Sequence, residues 1–208
     1  MKSKNKTLKK SKIQFTIHQV FLDIGLKPLS ERTDWLENME KNKKKNPHVR
    51  FKLWTDKEVN KLIDDEYPQY KKMIRSFPHK FYLIDFCRYL ILNKYGGMYM
   101  DLDVYCKKKL PDSVILGQDN KPAVNNNIIK LKNEDYKKLL DFCVSEYKRI
   151  ADENLYSKWK GRHLLNSVGA YMFKRFCRNN DIKSSIKFKD YFIDAESRSW
   201  IQAGVVGR

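Results

Sequence analysis

Two aspartates one residue apart, Asp101 and Asp103, follow the short apolar run Met98–Met100, which is typical of a buried strand. Alternate side chains of an extended chain share a face, so both carboxylates can converge on one point beyond the strand. Hard cations such as Mg²⁺ and Mn²⁺ take oxygen ligands, commonly one or two carboxylates together with substrate phosphates. The pair therefore indicates a divalent cation that holds a diphosphate, although solvated loops also contain this spacing.

A second charged pair, Asp85 and Arg88, lies within Phe81–Asn93, a segment that is apolar nearly all round and predicts a buried helix. Residues three apart share a helix face, and charges in such a helix need partners. Two interpretations remain open. The pair is either a private salt bridge, or Asp85 accepts from sugar hydroxyls while the guanidinium fork of Arg88 donates to a sugar or diphosphate.

The surrounding elements predict an α/β fold. Gly96 and Gly97 end the buried helix, since glycine tolerates the left-handed conformation found there. Upstream, Ile13–Phe21 and Val49–Trp54 alternate apolar and polar residues and predict two more strands. Strands and helices in alternation favour a sheet with parallel pairs, whose ligands bind beyond the carboxyl ends of the strands.

Capping residues locate two helices. Ser30 is a plausible N-cap of the first, and Thr55 with Glu58 forms a capping box for the second. The remaining predicted elements are helices over Glu31–Met39, from Thr55 towards Asp65, over Glu134–Ile150 and over Leu164–Arg178, and a strand over Ile186–Phe188.

The composition fits one globular domain. The 208 residues are 41% hydrophobic and 13% aromatic, enough for a sizeable core but not for a second full domain. No stretch approaches the roughly 18 apolar residues of a membrane-spanning helix. The four cysteines form no C-x-x-C pair and lie in apolar segments, so buried free thiols are expected.

The net charge of +18 allows a nucleic-acid partner, a polyanionic small substrate or a lysine-rich solubilising surface. Dense basic runs occur only at Lys2–Lys12 and Lys41–Lys45, whereas nucleic-acid modules more often have an arginine-rich stripe with stacking aromatics. We therefore expect no nucleic-acid partner. Residues 1–12 are predicted to be a disordered basic tail, and because no apolar secretory stretch follows, we expect a soluble cytoplasmic protein.

The run from Asp85 to Val104 resembles the signature of glycosyltransferases with a DXD sugar-binding region, because D-x-x-R, Y-G-G and D-x-D occur in the family's order and spacing. This group contains yeast-type initiating mannosyltransferases and is related in site layout to the clostridial glucosylating toxins. Ile17–Phe21 and Phe51–Asp56 are also similar to the family. The resemblance implies a GT-A fold, a divalent metal (Mn²⁺ or Mg²⁺), a nucleoside-diphosphate sugar donor and retention of configuration.

The resemblance also implies roles for individual residues. Asp103 would bind the metal directly, and Asp101 would contact the ribose or sugar and reach the metal through water. Asp85 and Arg88 would hold the donor sugar, and Tyr99 would lie beside the nucleotide. His18 and Gln19 would line the nucleotide pocket, and Asn127 would face the donor. In a segment that closes over the diphosphate, Glu196 or Ser199 would complete the metal shell and Trp200 would donate to the leaving phosphate.

On this interpretation residues 13–208 form one GT-A domain, with 13–105 binding the nucleotide sugar and 106–208 forming the acceptor half and a C-terminal closing segment. A UDP-sugar is favoured over a GDP-sugar, the acceptor is a glycan, protein or small molecule, and the protein is taken as a monomer.

Two other function classes stay open. A phosphatase of the haloacid-dehalogenase type uses the first aspartate of a D-x-D as its nucleophile, but on the first strand of the chain, whereas here that aspartate is residue 101. The other class is a non-catalytic basic binding protein, which would not need Asp85, Arg88, Asp101 and Asp103 all to be present.

Overall fold

A four-stranded sheet forms the centre of the computed structural model, which describes residues 15–25, 27–116, 125–152 and 163–194. The inner strand β1 (Thr16–Val20) runs parallel to β2 (Arg50–Trp54) on one side and to β3 (Met98–Met100) on the other. Strand β5 (Ile128–Ile129) pairs antiparallel with β3 and completes the order β2-β1-β3-β5. The carboxyl ends of the three parallel strands therefore meet at one edge.

A second, two-stranded sheet joins distant parts of the chain. Strand β4 (Val104–Cys106) begins immediately after Asp103 and pairs antiparallel with β6 (Phe192–Asp194). Asn42, which is fully buried, fixes β4 from the side, since its amide donates to the Val104 carbonyl at 3.0 Å and accepts from the Cys106 N–H at 2.7 Å.

Helices connect and cover the strands. They are α1 (Thr33–Lys45), α2 (Asp56–Glu66), α3 (Lys71–Arg75), α4 (Lys80–Tyr95), α5 (Asn133–Asp152), α6 (His163–Ser167), α7 (Ala170–Asn179) and α8 (Phe188–Tyr191). The predicted capping box of α2 is confirmed, because the Thr55 backbone N–H donates to the Glu58 carboxylate at 3.0 Å. None of the helices in these described ranges combines the length and apolar character needed to cross a bilayer.

The strand alternation divides the core into two clusters. Val20 and Tyr99 point to one face of the sheet, where α4, α5 and α7 pack and form the larger cluster. Ile17, Met98 and Met100 point to the other face, where they pack against β4 and β6 in the smaller cluster. Both clusters combine residues from before and after position 105, so the described residues share one core.

The predicted buried helix is confirmed as α4, with Gly96 and Gly97 at its end in positive-φ conformations of 64° and 83°. A Cβ on Gly97 would lie 2.4 Å from the Thr16 carbonyl oxygen, so only glycine allows β3 to lie this close to β1. The predicted thiols are also confirmed, since all four cysteines are buried and none of them forms a disulfide.

Several predicted boundaries were wrong. The first helix begins at Thr33, with Arg32 rather than Ser30 at the cap position, and continues to Lys45 because its lysine-rich last turns are solvated on α1's outer face. The predicted helix Leu164–Arg178 is two helices, α6 and α7, which are separated at Gly169, where the backbone passes so close to α6 that a Cβ would lie 2.9 Å from the Leu165 Cα.

The C-terminal strand was also misplaced. Ile186–Phe188 is not a strand, since α8 already begins at Phe188. The strand is β6, where long-range pairing with β4 decides the conformation. The predicted tail, residues 1–12, lies outside the described residues.

Candidate active site

The DXD turn lies at the carboxyl edge of the central sheet, where the sequence predicts it. Asp101 directly follows β3, and its backbone N–H donates to the Asn127 carbonyl at 2.8 Å. The Asp101 carbonyl accepts from the Val104 N–H at 3.2 Å as the chain enters β4. Backbone bonds on both sides therefore hold Asp101 and Asp103 in a fixed turn.

Arg88 connects this turn to helix α4. Its side chain is only 4% exposed, and its guanidinium lies 2.6 Å from Asp85 Oδ1 and 3.6 Å from Asp101 Oδ1. The same group donates to the Asn126 carbonyl at 2.6 Å. The Asp85–Arg88 pair is thus not private to the helix, since Arg88 also bridges to the first aspartate of the DXD turn.

Tyr99 lies inside this cluster. Its hydroxyl donates to Asp101 Oδ1 at 2.5 Å, and its ring centroid lies 4.5 Å from the Arg88 guanidinium carbon. Tyr99 is 1% exposed, so it contacts Asp101 from the core side of the turn. Tyr99 and Arg88 both contact Oδ1, which fixes the orientation of the Asp101 carboxylate.

The cluster gathers three carboxylates. Asp85 and Asp101 lie beside the Arg88 guanidinium, and the charge of Asp103 repels that of Asp101. Burial raises the pKa of Asp101 to about 7, the charge of Asp103 adds to this effect, and Arg88 opposes it. Burial likewise raises the pKa of Asp85 against the opposing effects of Arg88 and Asn126. A divalent cation beside the turn would compensate this charge.

The donor set fits a hard cation that also binds phosphates. Asp101 and Asp103 offer carboxylate oxygens only, as Mg²⁺ and Mn²⁺ prefer. In the ranges that the structure describes, no three His, Cys, Asp or Glu side chains are arranged to hold a metal. These residues allow a site in which two protein carboxylates bind the cation and phosphate oxygens complete its coordination shell.

Two asparagines before β5 extend the cluster. Asn126 donates from its amide to Asp85 Oδ1 at 3.1 Å and to the Tyr89 hydroxyl at 3.1 Å. Asn127 donates to Asp194 Oδ2 at 2.5 Å, at the end of β6. Asn126 could not be chosen from the sequence, since three consecutive asparagines carry no register. Asp194 was missed because β6 was misplaced.

His18 and Gln19 lie within the sheet rather than in the DXD turn. His18 is 2% exposed, its Nδ1 accepts from the Trp54 indole N–H at 3.1 Å, and burial lowers its pKa to about 4. Gln19 is fully buried, and its amide makes no hydrogen bond with any residue in the described part of the chain. Glu196, Ser199 and Trp200 lie outside the described residues.

The predicted family resemblance is confirmed by comparison with known proteins. Residues 32–123 match the model of the family described as "Glycosyltransferase sugar-binding region containing DXD motif". Inositol phosphoceramide mannosyltransferase 1 of Schizosaccharomyces pombe is 33% identical over 102 residues, which are 48% of this chain and 30% of the relative. Mannosyl phosphorylinositol ceramide synthase SUR1 of Saccharomyces cerevisiae is 36% identical over 76 residues, 36% of this chain and 20% of the relative.

A solved structure supports the fold. The PaToxG glycosyltransferase superposes with a TM-score of 0.57 at 20% identity, over 81% of this chain and 70% of that one. The α/β fold predicted from the sequence is confirmed, with a parallel-rich sheet flanked by helices. The chain spans less than a third of the length of the two curated relatives described above.

Proposed function

We propose that this chain, whose residues 32–123 match the model of the DXD-containing glycosyltransferase sugar-binding region, transfers a hexose or N-acetylhexosamine from a nucleoside-diphosphate sugar to a hydroxyl acceptor. The observation that supports this most directly is the bridge from Arg88 to Asp85 and Asp101 beside the DXD turn. It gathers a buried carboxylate, a guanidinium and the two turn aspartates at the edge where α/β sheets bind ligands.

Asp103 and Asp101 are the residues we propose for the metal, Mn²⁺ or Mg²⁺. A cation bound there would neutralise the charge that develops on the departing diphosphate. Asp103 is the direct ligand, since Asp101 Oδ1 already contacts Tyr99 and Arg88. Glu196 or Ser199 completes the shell in this proposal.

Arg88 and Asp85 act through position and charge. Arg88 holds Asp85 and Asp101 in place from inside the protein, so both carboxylates are already oriented when the donor binds. Asp85 accepts from donor hydroxyls, and Trp200 donates to the leaving phosphate. We assign no covalent nucleophile; the acceptor hydroxyl attacks on the side from which the diphosphate leaves, with retention of configuration.

In the same proposal the two halves of the chain bind different substrates. Residues 13–105 bind the nucleotide sugar, with His18 and Gln19 at the nucleotide pocket, Tyr99 behind Asp101 and Asn127 facing the donor. Residues 106–208 contribute the acceptor half and the closing segment. A UDP-sugar is the favoured nucleotide, with GDP-sugars as the alternative. The names of the two yeast relatives make mannose the first sugar to test, and an inositol-containing lipid the first acceptor.

The two competing functions are less well supported. A dehalogenase-type phosphatase needs a nucleophilic aspartate. Asp101 does not suit this role, because burial raises the pKa of its carboxyl group and Tyr99 and Arg88 hold that group in place. A non-catalytic basic protein does not explain four charged side chains gathered at low exposure.

The test is hydrolysis of a panel of UDP- and GDP-sugars by purified protein, with Mn²⁺, with Mg²⁺ and with chelator. We expect metal-dependent release of nucleoside diphosphate from one donor, lost in Asp103→Ala and retained in Asp65→Ala. Asp65 is a matched control, since it is 52% exposed and pairs with Lys61 on α2. Equal turnover by Asp103→Ala, or no donor bound by the wild type, would overturn the proposal, and phosphate release from simple esters would favour the phosphatase.

A further inference from the structure

The two-stranded sheet of β4 and β6 has one buried and one exposed face. Val104, Cys106 and Phe192 point into the smaller core cluster. Tyr105 and Ile193, which are directly paired across the two strands, point the other way, and Ile193 is 40% exposed. Strands in a solvated sheet commonly carry polar residues on such a face, so an aromatic–aliphatic pair there needs an explanation.

Lysines surround this pair. The Lys45 ammonium lies 5.4 Å from the Tyr105 ring centroid and donates to the Lys107 carbonyl at 2.6 Å. Lys107 in turn donates to the Lys189 carbonyl at 2.7 Å, and the Lys108 ammonium lies 4.0 Å from the Tyr191 ring centroid. We name as the docking face the six residues Lys45, Tyr105, Lys107, Lys108, Lys189 and Ile193.

The four lysines of the docking face are not neutralised locally. Within the described part of the chain none of them forms an ion pair, whereas the preceding turns of α1 pair Lys41 with Glu37 and Lys43 with Glu40. Asp190 is the acidic residue of α8, and it makes no ion pair with these lysines in the described ranges. The face therefore carries a concentrated positive charge around an apolar centre.

We propose that the docking face binds the surface of an anionic lipid bilayer. Lysine ammonium groups on flexible stems match the diffuse negative charge of lipid headgroups, while tyrosine and isoleucine side chains enter the interfacial layer beneath them. A nucleic acid fits less well, because the face has no arginine and only one aromatic ring, that of Tyr105, whereas single-stranded nucleic acids stack successive bases on several rings.

Docking would also set the position of the DXD turn. Tyr105 is two residues after Asp103, the last residue of the turn before β4, so their Cα atoms are at most about 7 Å apart. A bilayer against the docking face would therefore hold the turn at a fixed, short distance from the membrane surface. This consequence rests on the proposed function, but the binding itself does not.

Vesicle flotation tests the binding directly. The full chain is mixed with phosphatidylcholine vesicles, and with vesicles that contain about 30 mol% phosphatidylserine. We expect binding only to the anionic vesicles, weakening as salt rises. The loss is about fivefold for each positive charge removed, so it is at least about 25-fold in Lys107→Glu/Lys108→Glu, where the two glutamates also repel the anionic surface. Ile193→Ser should weaken the binding that persists at high salt.

The matched control is Lys57→Glu/Lys72→Glu, which makes the same change in net charge on the exposed lysines of α2 and α3. Equal loss in this control, equal binding to neutral vesicles, or no vesicle binding by the wild type would overturn the proposal. Tighter binding to single-stranded DNA than to vesicles, or a dimer that Ile193→Ser dissociates, would assign the face to another partner. Nucleotide-sugar hydrolysis without vesicles should be unchanged in all three variants, which separates this test from that of the proposed function.

Discussion

The Arg88 guanidinium lies 3.6 Å from Asp101 Oδ1, and this contact ties the buried helix α4 to the DXD turn. Arg88 is 4% exposed and also contacts Asp85 at 2.6 Å. Removal of Arg88 would leave two partly buried carboxylates, Asp85 and Asp101, without their cation. The stability of the fold and the geometry of the site therefore depend on the same side chain.

We predict that Arg88→Met lowers the free energy of unfolding by about 3–5 kcal/mol, because breaking a buried ion pair leaves an uncompensated charge. Asp85→Asn/Arg88→Met should recover part of this loss, since the double variant removes one of the two stranded carboxylates. Urea denaturation of the wild type and the three variants, including Asp85→Asn alone, measures the effect. A loss of less than about 1 kcal/mol in Arg88→Met would mean that water already screens the cluster.

We predict that Gly97→Ala destabilises the protein far more than Gly25→Ala. Both glycines have positive φ, 83° and 76°, but a Cβ at Gly97 meets the Thr16 carbonyl oxygen at 2.4 Å whereas one at Gly25 meets nothing within 4 Å. Backbone strain alone costs about 1–2 kcal/mol, and the clash adds about 1–3 kcal/mol at Gly97. Thermal denaturation should separate the two variants, and similar melting temperatures would show that β3 can move away from β1.

Local patterns predicted the elements that carry the site. The continuous apolar run of α4, the two glycines and the short strand β3 all depend on residues near one another in sequence, and each was confirmed. The spacing of Asp85 and Arg88 likewise predicted a shared face. These features could be predicted because backbone conformation and burial follow from the residues themselves.

Long-range contacts decided what the sequence could not predict. Strand β6 is as short as β3 but has no glycine pair before it to mark its start, and its conformation depends on pairing with the distant strand β4. The break between α6 and α7 occurs at Gly169, where a Cβ would meet Leu165 and Asp85, and helical periodicity continues across it. Asn126 entered the site for the same reason, since its contacts with Asp85 and Tyr89 come from another element.

Acid should destabilise the fold through His18. Burial lowers the pKa of His18 from its usual 6.5 to about 4, so between these values the unfolded chain binds a proton that the folded protein does not. Stability is therefore full above pH about 6.5 and falls as the pH drops towards 4, by up to about 3 kcal/mol at the acid end.

Urea denaturation at a series of pH values tests the prediction for His18. The slope of stability against pH should be smaller in His18→Gln than in the wild type between pH 4 and 6.5. Some slope should remain in the variant, because burial also lowers the pKa of His163 to about 4. An unchanged slope in His18→Gln would contradict the assignment.

Asn42 holds β4 through two hydrogen bonds, since its amide donates to the Val104 carbonyl and accepts from the Cys106 N–H. Asn42→Asp keeps the acceptor but loses the donor and adds a buried charge, so we expect a loss of about 3 kcal/mol. Asn60→Asp, on the exposed face of α2, is the matched control and should change stability by less than about 0.5 kcal/mol. Because the lost donor bonds the Val104 carbonyl and so holds β4 from the side, Asn42→Asp should also loosen β4 and speed hydrogen exchange at the Cys106 amide. Wild-type exchange at Cys106 in this variant would mean that pairing with β6 alone holds β4 in place.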